Sequence, residues 1–332
     1  AVDVDPNFGL AYAGMAVTSR NLGQQQDAEK YIKLALERID RMTEREKYRT
    51  RAYYYSLFGN RQKCVEEYGT LISRFPSDAA AHNNLGNCLT QLRNMPKAIE
   101  EVRQAMATLP KRTLYRNNLA LFASYGTDFQ TGEREARAVQ QMDPSYATSF
   151  VALAFAQMGQ GQLTQAAETY QKLEKISPSN AQSGLADLAL YEGRFGDAAR
   201  ILEQGAAADL AAKFPDRAAL KFAALAYTRL SQDRKKEAVL AAESASAQSQ
   251  TVKIRFLAGR VFAATGQDAR ARTLAAGLAS ELQPEPQAYA KLIEGDIALA
   301  KQDPRAAIKA FTEANNLVDT WIGRFELGRA YL

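Results

Sequence analysis

Residues 79–112 read AAAHNNLGNCLTQLRNMPKAIEEVRQAMATLPKR and contain the clearest copy of a pattern that recurs along the chain. Gly86 is followed by Ala98 twelve positions later and by Pro110 twenty-four positions later. The same proline belongs to an evenly spaced series that consists of Pro76, Pro110, Pro144 and Pro178. A fixed period of about 34 residues predicts a repeat protein. Length alone would instead suggest about two globular domains for a chain of 332 residues.

The pattern divides the chain into nine units and a partial tenth, all within one repeat domain that spans residues 1–332. The predicted units are 9–44, 45–78, 79–112, 113–146, 147–178, 179–218, 219–251, 252–287, 288–320 and the partial 321–332. Most units start close to one period after the previous one, and the exception is the longer interval from 179 to 219. We expect no single central core, because each repeat packs against its neighbours.

Each unit predicts two amphipathic helices joined by a turn. In the unit 147–178, apolar residues recur every three or four positions before Gly159 and again from Leu163 to Leu173. Asp303 is placed to cap a second helix, with Pro304 at its first position. Small residues at fixed places let two helices cross with their axes about 8–10 Å apart.

These residues resemble the tetratricopeptide repeat family. The residues that carry the resemblance are Asn84-Leu85-Gly86, Ala98, Ala105 and Pro110, and in other units Tyr12, Ala16, Ala28, Ala35, Ala52, Tyr55 and Pro76. The resemblance implies an all-α, right-handed solenoid of about nine helix-turn-helix repeats that acts as a non-enzymatic scaffold or sensor for a protein or peptide. Recognition is then expected in the concave groove lined by the first helix of each pair.

A second resemblance concerns residues 44–60 and 81–86, which read EREKYRTRAYYYSLFGN and AHNNLG. They are similar to the repeat region of bacterial serine/threonine protein kinases and related winged-helix regulators. The chain has no glycine-rich phosphate loop, His-Arg-Asp loop or Asp-Phe-Gly motif, so a kinase activity would belong to another domain of a larger signalling protein. The compartment stays open: cytoplasmic, or extracytoplasmic if the parent is a membrane receptor kinase.

Composition argues against several other kinds of site. One histidine and two cysteines leave no metal centre, cofactor site or catalytic group to predict, and Cys64 and Cys88 are expected to pack as small apolar residues. No apolar run approaches the length that a transmembrane helix requires, so no membrane insertion is expected within the chain. The net charge of +5 is contained in residues 33–63, which argues against a nucleic-acid-binding stripe.

Five asparagines are candidates for peptide contact: Asn83, Asn84, Asn87, Asn117 and Asn118. Asn117 and Asn118 follow Asn83 and Asn84 by one period, which places the two pairs in equivalent positions on adjacent first helices. The family resemblance implies that such amides hold the backbone of an extended peptide, because an amide side chain both donates and accepts hydrogen bonds. The alternative is that Asn84 and Asn118 bond within or between the helices.

Arg49, Arg51 and Tyr55 are further candidates, because they lie in the basic segment 33–63 and would add charge and aromatic contacts for an acidic partner. Acidic residues interleave with the basic ones at helical spacing, so the alternative is a solvated face with local ion pairs.

A different class of function also fits the sequence. The chain could be a structural spacer or a rod that self-associates through its ends, and light scattering would distinguish this from a peptide-binding monomer. An enzyme is the third class, and the residues supply no nucleophile or metal signature for it.

Overall fold

The computed structural model describes all 332 residues and contains nineteen α-helices, one 3-10 helix at Ile39–Arg41 and no strand. The predicted all-α solenoid class is confirmed. The first helices of successive pairs are α1 (Gly9–Asn21), α3 (Glu44–Leu57), α5 (Ala79–Gln91), α7 (Thr113–Tyr125), α9 (Ala147–Gly159), α11 (Pro178–Tyr191), α13 (Pro215–Ser231), α15 (Val252–Ala264), α17 (Pro284–Ala300) and α19 (Trp321–Tyr331). The second helices are α2 (Gln25–Leu36), α4 (Arg61–Arg74), α6 (Met95–Thr108), α8 (Phe129–Met142), α10 (Leu163–Glu174), α12 (Phe195–Ala211), α14 (Lys235–Gln248), α16 (Asp268–Ala279) and α18 (Pro304–Leu317).

Two first helices begin earlier than the repeat pattern predicts. Helices α13 and α17 start at Pro215 and Pro284, one turn before the predicted unit starts at 219 and 288. Proline is compatible with the first turn of a helix because the amide hydrogen it lacks has no partner there. Helix α12 is 17 residues long, so the longer interval after residue 179 holds a longer helical pair rather than a longer loop.

Residues with a left-handed backbone conformation follow the first helices and end them. Gly23, Gly59, Gly161, Gly193 and Gly266 have φ between 74° and 78° in the turns that follow them. The corresponding turns of other pairs, and the turn after α12, place a non-glycine residue in this conformation: Arg93, Thr127, Lys213, Asp233 and Gln302. Glycine adopts positive φ without steric cost, whereas other residues are strained there. The expected cap of α18 is also present, since Asp303 accepts a hydrogen bond of 3.0 Å from the Ala306 amide.

Close contacts divide the chain into two compact units. Unit 1 comprises Ala1–Arg20, Asp27–Leu57 and Arg61–Gly193. Unit 2 comprises Asn21–Gln26, Phe58–Asn60 and Arg194–Leu332.

Small residues mark the places where helices approach most closely. A Cβ atom added to Gly86 in α5 would lie 2.9 Å from the Phe122 ring and 3.1 Å from the carbonyl oxygen of Ala98. Ala98 itself is completely buried. The twelve-position spacing between Gly86 and Ala98 therefore reflects the crossing of α5 with α6.

Gly295 in α17 offers a test of this role. A Cβ atom there would lie 2.3 Å from the completely buried Phe311 ring. Gly295→Ala is expected to lower the free energy of unfolding by about 1–3 kcal/mol through overpacking, as measured by urea denaturation. The control is Gly14→Ala in α1, where nothing lies within 4 Å of the added Cβ and alanine should instead stabilise by about 0.5–1 kcal/mol. Effects of equal sign would contradict the packing argument.

The two cysteines require a correction. Cys64 in α4 and Cys88 in α5 are buried among apolar residues as expected, but they are bonded to each other, with their Cα atoms 6.1 Å apart. The expectation that they are separate packed thiols is wrong because α4 and α5 are adjacent and bring the two side chains face to face.

Candidate functional site

The predicted asparagines of unit 1 form a hydrogen-bonded network. Asn118 of α7 donates to the side-chain oxygen of Asn83 in α5 at 2.7 Å. Asn83 donates to Asn84 at 3.1 Å, and Asn84 donates to the Tyr68 hydroxyl at 3.2 Å. The network thus links α4, α5 and α7, and burial strongly raises the pKa of the Tyr68 hydroxyl. Asn84 and Asn118 therefore bond between helices, which is the alternative to peptide contact.

Two asparagines lie at the border of this network. Asn87 is half-buried and donates to the main-chain oxygen of Asn83 at 3.3 Å. Asn117 is 2 % exposed, and its side-chain oxygen is buried without a hydrogen-bond partner. A buried acceptor left unpaired costs about 1–3 kcal/mol, so it is a position that a donor would stabilise.

Arg49 contacts an acidic residue rather than the asparagines. Its Nη2 atom lies 2.7 Å from the Asp78 carboxylate, which also accepts from Arg45 at 2.8 Å and from the Ala81 amide at 3.0 Å. Burial raises the pKa of Asp78, but the hydrogen bonds and the two guanidinium charges outweigh it and hold that pKa below its usual value. Asp78 therefore caps α5 and anchors two cations of the basic segment.

Asp78 should make the free energy of unfolding depend on pH in the acid range. A carboxylate whose pKa is lowered by folding contributes stability fully above its unfolded pKa of about 3.9 and loses it as the pH falls through the folded value. We expect Asp78→Asn to cost about 1–2 kcal/mol at pH 7 and little near pH 2, as measured by urea denaturation across this range. Asp3→Asn removes one exposed carboxylate and is the control. A constant cost of Asp78→Asn at both pH values would contradict the assignment.

Arg51 and Tyr55 face the second helix of their own pair. The Nε atom of Arg51 lies 2.9 and 3.0 Å from the two carboxylate oxygens of Glu67 in α4. Tyr55 is half-buried and lies beneath the ammonium of Lys63, 5.3 Å from its ring centre. The side chains of these two candidates on α3 therefore contact α4.

Unit 2 contains a cavity that sequence reasoning missed. It has a volume of about 530 Å³ and is lined by the first helices α13, α15, α17 and α19. Four of its residues recur at intervals close to the repeat period: Tyr227, Arg260, Asp296 and Arg329. This spacing is the signal that could have revealed the cavity, because it puts one side chain of each first helix on the same face.

A buried ion-pair network forms the polar wall of the cavity. Arg260 contacts Asp296 at 2.6 Å and Glu326 at 2.5 Å, and Glu326 also contacts Arg329 at 2.7 Å. These carboxylates raise the pKa of Arg260 despite its burial, so the guanidinium stays charged. Burial raises the pKa of the Tyr227 hydroxyl to about 12, against the opposing effect of the Arg260 charge.

Another part of the cavity lining is apolar and open to solvent. Trp321 and Phe325, one turn apart on α19, are 62 % and 58 % exposed. Leu230 and Leu299 complete this wall from α13 and α17. The cavity lining therefore combines paired charges with exposed aromatic side chains.

The structure offers neither a metal centre nor a membrane-spanning element. No group of three histidine, cysteine, aspartate or glutamate side chains is placed to hold a metal ion. None of the nineteen helices combines the length and apolar character that a bilayer span requires.

Comparison with known proteins identifies the type of repeat. The tetratricopeptide repeat family matches residues 58–112 in sequence. The crystal structure of yeast Tom70 has a TM-score of 0.62 at 14 % identity, with 99 % of this chain and 82 % of that chain covered. A tetratricopeptide repeat protein from Parabacteroides merdae has a TM-score of 0.50 at 15 % identity, with 75 % of this chain and 97 % of that chain covered. No curated protein matches the chain in sequence.

At these identities the structural likeness is one of fold. It agrees with the paired helices, the close crossings at small residues and the fixed period of the prolines. Such repeats are protein-interaction scaffolds whose stacked first helices present a continuous surface. Taken together, the period, the helical pairs and the matches show a fold built of tetratricopeptide-type repeats, with the sequence pattern of that family matched over residues 58–112.

Proposed function

We propose that the chain is a peptide-binding scaffold and that unit 1 holds an extended segment of a partner protein across α5 and α7. The observation that supports this is the Asn118–Asn83 hydrogen bond between the two helices, which fixes a row of amides next to the half-buried Asn87. The backbone of an extended segment supplies one donor and one acceptor per residue. Asn87, which is half-buried, pairs with that backbone, and the buried Asn83, Asn117 and Asn118 together with Asn84 hold the amide row in place.

The basic residues set the charge preference in this proposal. Arg49 is 38 % exposed in its side chain although it contacts Asp78. Arg51 and Tyr55 form a neighbouring surface on α3 and α4. An acidic partner segment is favoured, because the basic stretch 33–63 carries the net charge of the chain.

A peptide library displayed on phage, selected on the intact protein, tests the proposal. Selected peptides are then measured by isothermal titration calorimetry on Asn87→Ala. This substitution removes one neutral hydrogen bond, so we expect affinity to fall about three- to tenfold. Asn316→Ala at an exposed position of α18 is the control and should leave affinity unchanged. Unchanged affinity of Asn87→Ala, with its circular dichroism intact, would refute the asparagine assignment.

The proposed role is binding rather than catalysis, within a larger regulatory protein. The similarity of residues 44–60 and 81–86 to kinase-linked repeat regions supports a signalling parent. Sequencing the coding region on both sides of this stretch tests that part. A kinase or winged-helix domain in the same reading frame is expected, and further repeats alone would contradict it.

A further inference from the structure

His82, the only histidine of the chain, lies in the first turn of α5 between two hydrogen-bond acceptors. Its Nδ1 atom lies 2.6 Å from a carboxylate oxygen of Glu101 in α6, and its Nε2 atom lies 2.9 Å from the main-chain oxygen of Pro76. A neutral imidazole has one N–H donor and an imidazolium has two, whereas a carboxylate and a carbonyl have none. Both hydrogen bonds therefore form only when each ring nitrogen of His82 carries a hydrogen.

Both side chains of this contact are shielded from water. Those of His82 and Glu101 are 11 % and 15 % exposed. If the imidazole lost a proton, one ring nitrogen would present a lone pair to the Glu101 carboxylate or to the Pro76 oxygen, whichever tautomer formed. Water replaces a lost hydrogen bond poorly at a buried position. The contact between α5 and α6 therefore depends on one proton.

The neighbouring repeats place a permanent cation in the corresponding contact. Glutamates recur one period apart in the second helices α4, α6 and α8: Glu67, Glu101 and Glu135. Glu135 accepts from Arg116 at 2.7 Å, and Arg116 follows His82 by one period, while Glu67 accepts from Arg51. A guanidinium stays charged in proteins, whereas histidine changes its charge near neutral pH. Of the three contacts, only the middle one responds to pH in this range.

Glu101 is the one carboxylate in contact with His82. Asp78, one turn earlier on α5, is held by two arginines of α3. At the start of α7, burial raises the pKa of the Tyr115 hydroxyl, which is therefore neutral. The remaining charged side chains at the end of α4, on α6 and at the start of α7 are exposed or paired elsewhere: Arg74, Lys97, Glu100, Arg103, Arg112 and Arg116.

We propose that His82 and Glu101 form a pH-sensitive link between α5 and α6, which is closed while the imidazole is protonated and opens when that proton passes to solvent at higher pH. Asn83 and Asn84 follow His82 directly, and their hydrogen bonds tie the same turn of α5 to α7 and α4. Opening the link removes one of the three ties that position the amide row. The inference rests on the proposed function only in its effect on peptide affinity, because the link itself involves no ligand.

Nuclear magnetic resonance tests the double hydrogen bond without a ligand. Because His82 is the only imidazole of the chain, its ring N–H signals cannot be confused with those of another histidine. At pH 6 we expect two ring N–H signals, protected from exchange with water by their hydrogen bonds, and at pH 9 at most one. Fewer than two signals at pH 6 would overturn the proposal.

Variants at position 82 connect the proton to stability. Folding favours the protonated imidazole, so the link stabilises fully below about pH 6.5, the pKa of histidine in an unfolded chain, and less as the pH rises. His82→Arg supplies the permanent cation of the next repeat, and His82→Gln supplies no charge. From pH 6 to pH 9, we expect the unfolding equilibrium constant of the wild-type protein, measured with urea, to rise about tenfold more than that of either variant. An equal rise in all three proteins contradicts the link.

Peptide affinity tests the consequence for the amide row. The probes are phage-selected peptides whose binding depends on Asn87, acetylated and without histidine, cysteine or lysine. We expect their affinity for the wild-type protein to fall at least about threefold from pH 6 to pH 9 and their affinity for His82→Arg to stay constant. An equal pH response of both proteins overturns the regulation. Peptides that ignore Asn87→Ala refute the proposed function instead, and the resonance and urea measurements then decide on the link.

Discussion

Lys221→Met is expected to lower the free energy of unfolding by about 3–5 kcal/mol. The ammonium of Lys221 in α13 lies 2.5 Å from the Asp209 carboxylate in α12, and both side chains are at most 5 % exposed. Methionine fills a similar volume but supplies no charge, so the buried carboxylate loses the cation that neutralises it. Urea denaturation followed by circular dichroism measures the loss.

Two further variants separate charge from packing at this pair. The double variant Lys221→Met with Asp209→Leu removes both charges and should recover most of the stability, because a packed apolar pair can replace a buried ion pair. Lys235→Met removes a lysine that is 64 % exposed and should change stability by less than about 0.5 kcal/mol. A cost below about 1 kcal/mol for Lys221→Met would show that the pair is not buried in solution.

Reducing the Cys64–Cys88 bond should produce the second large effect. The bond joins α4 to α5 across a sequence separation of 24 residues. Closing a loop of this length in the unfolded chain corresponds to about 3 kcal/mol of stability on the chain-entropy account. The other apolar residues around the two cysteines stay packed without the bond. Reduction should therefore leave the fold intact but lower its melting temperature.

The measurement compares melting temperatures with and without reductant. Cys64→Ala with Cys88→Ala is the control, and it should show no response to reductant. Alkylation of the oxidised, denatured protein should add no label before reduction and two labels after it. Labelling of both cysteines before reduction would contradict the bond.

The fold could be predicted from the sequence to a large extent. Repeated prolines and small residues fix where helices end and cross, and these are local properties that the fixed period multiplies along the chain. Eight of the ten first helices begin within one residue of the predicted starts, from Gly9 to Trp321. The two early starts, at Pro215 and Pro284, depend on whether an extra turn packs, and the period carries no information about that.

Side-chain contacts between helices were harder to predict. The asparagine pairs were placed in equivalent positions, but whether they bond to each other depends on the separation of α5 from α7, which here brings Asn118 within 2.7 Å of Asn83. Lys221 and Asp209 are ordinary charged residues in sequence, and only the extra turn of α12 buries them together. Sequence spacing thus identifies which residues share a face, whereas packing decides which of them meet.

The left-handed turns after the helices make the chain a convenient starting point for engineering. Arg93, Thr127, Lys213, Asp233 and Gln302 occupy a backbone conformation that costs a side-chain-bearing residue about 1–2 kcal/mol. None of the five belongs to the asparagine network or lines the cavity in unit 2. Glycine at these positions should therefore raise heat tolerance one turn at a time while the asparagine network and the cavity keep their residues.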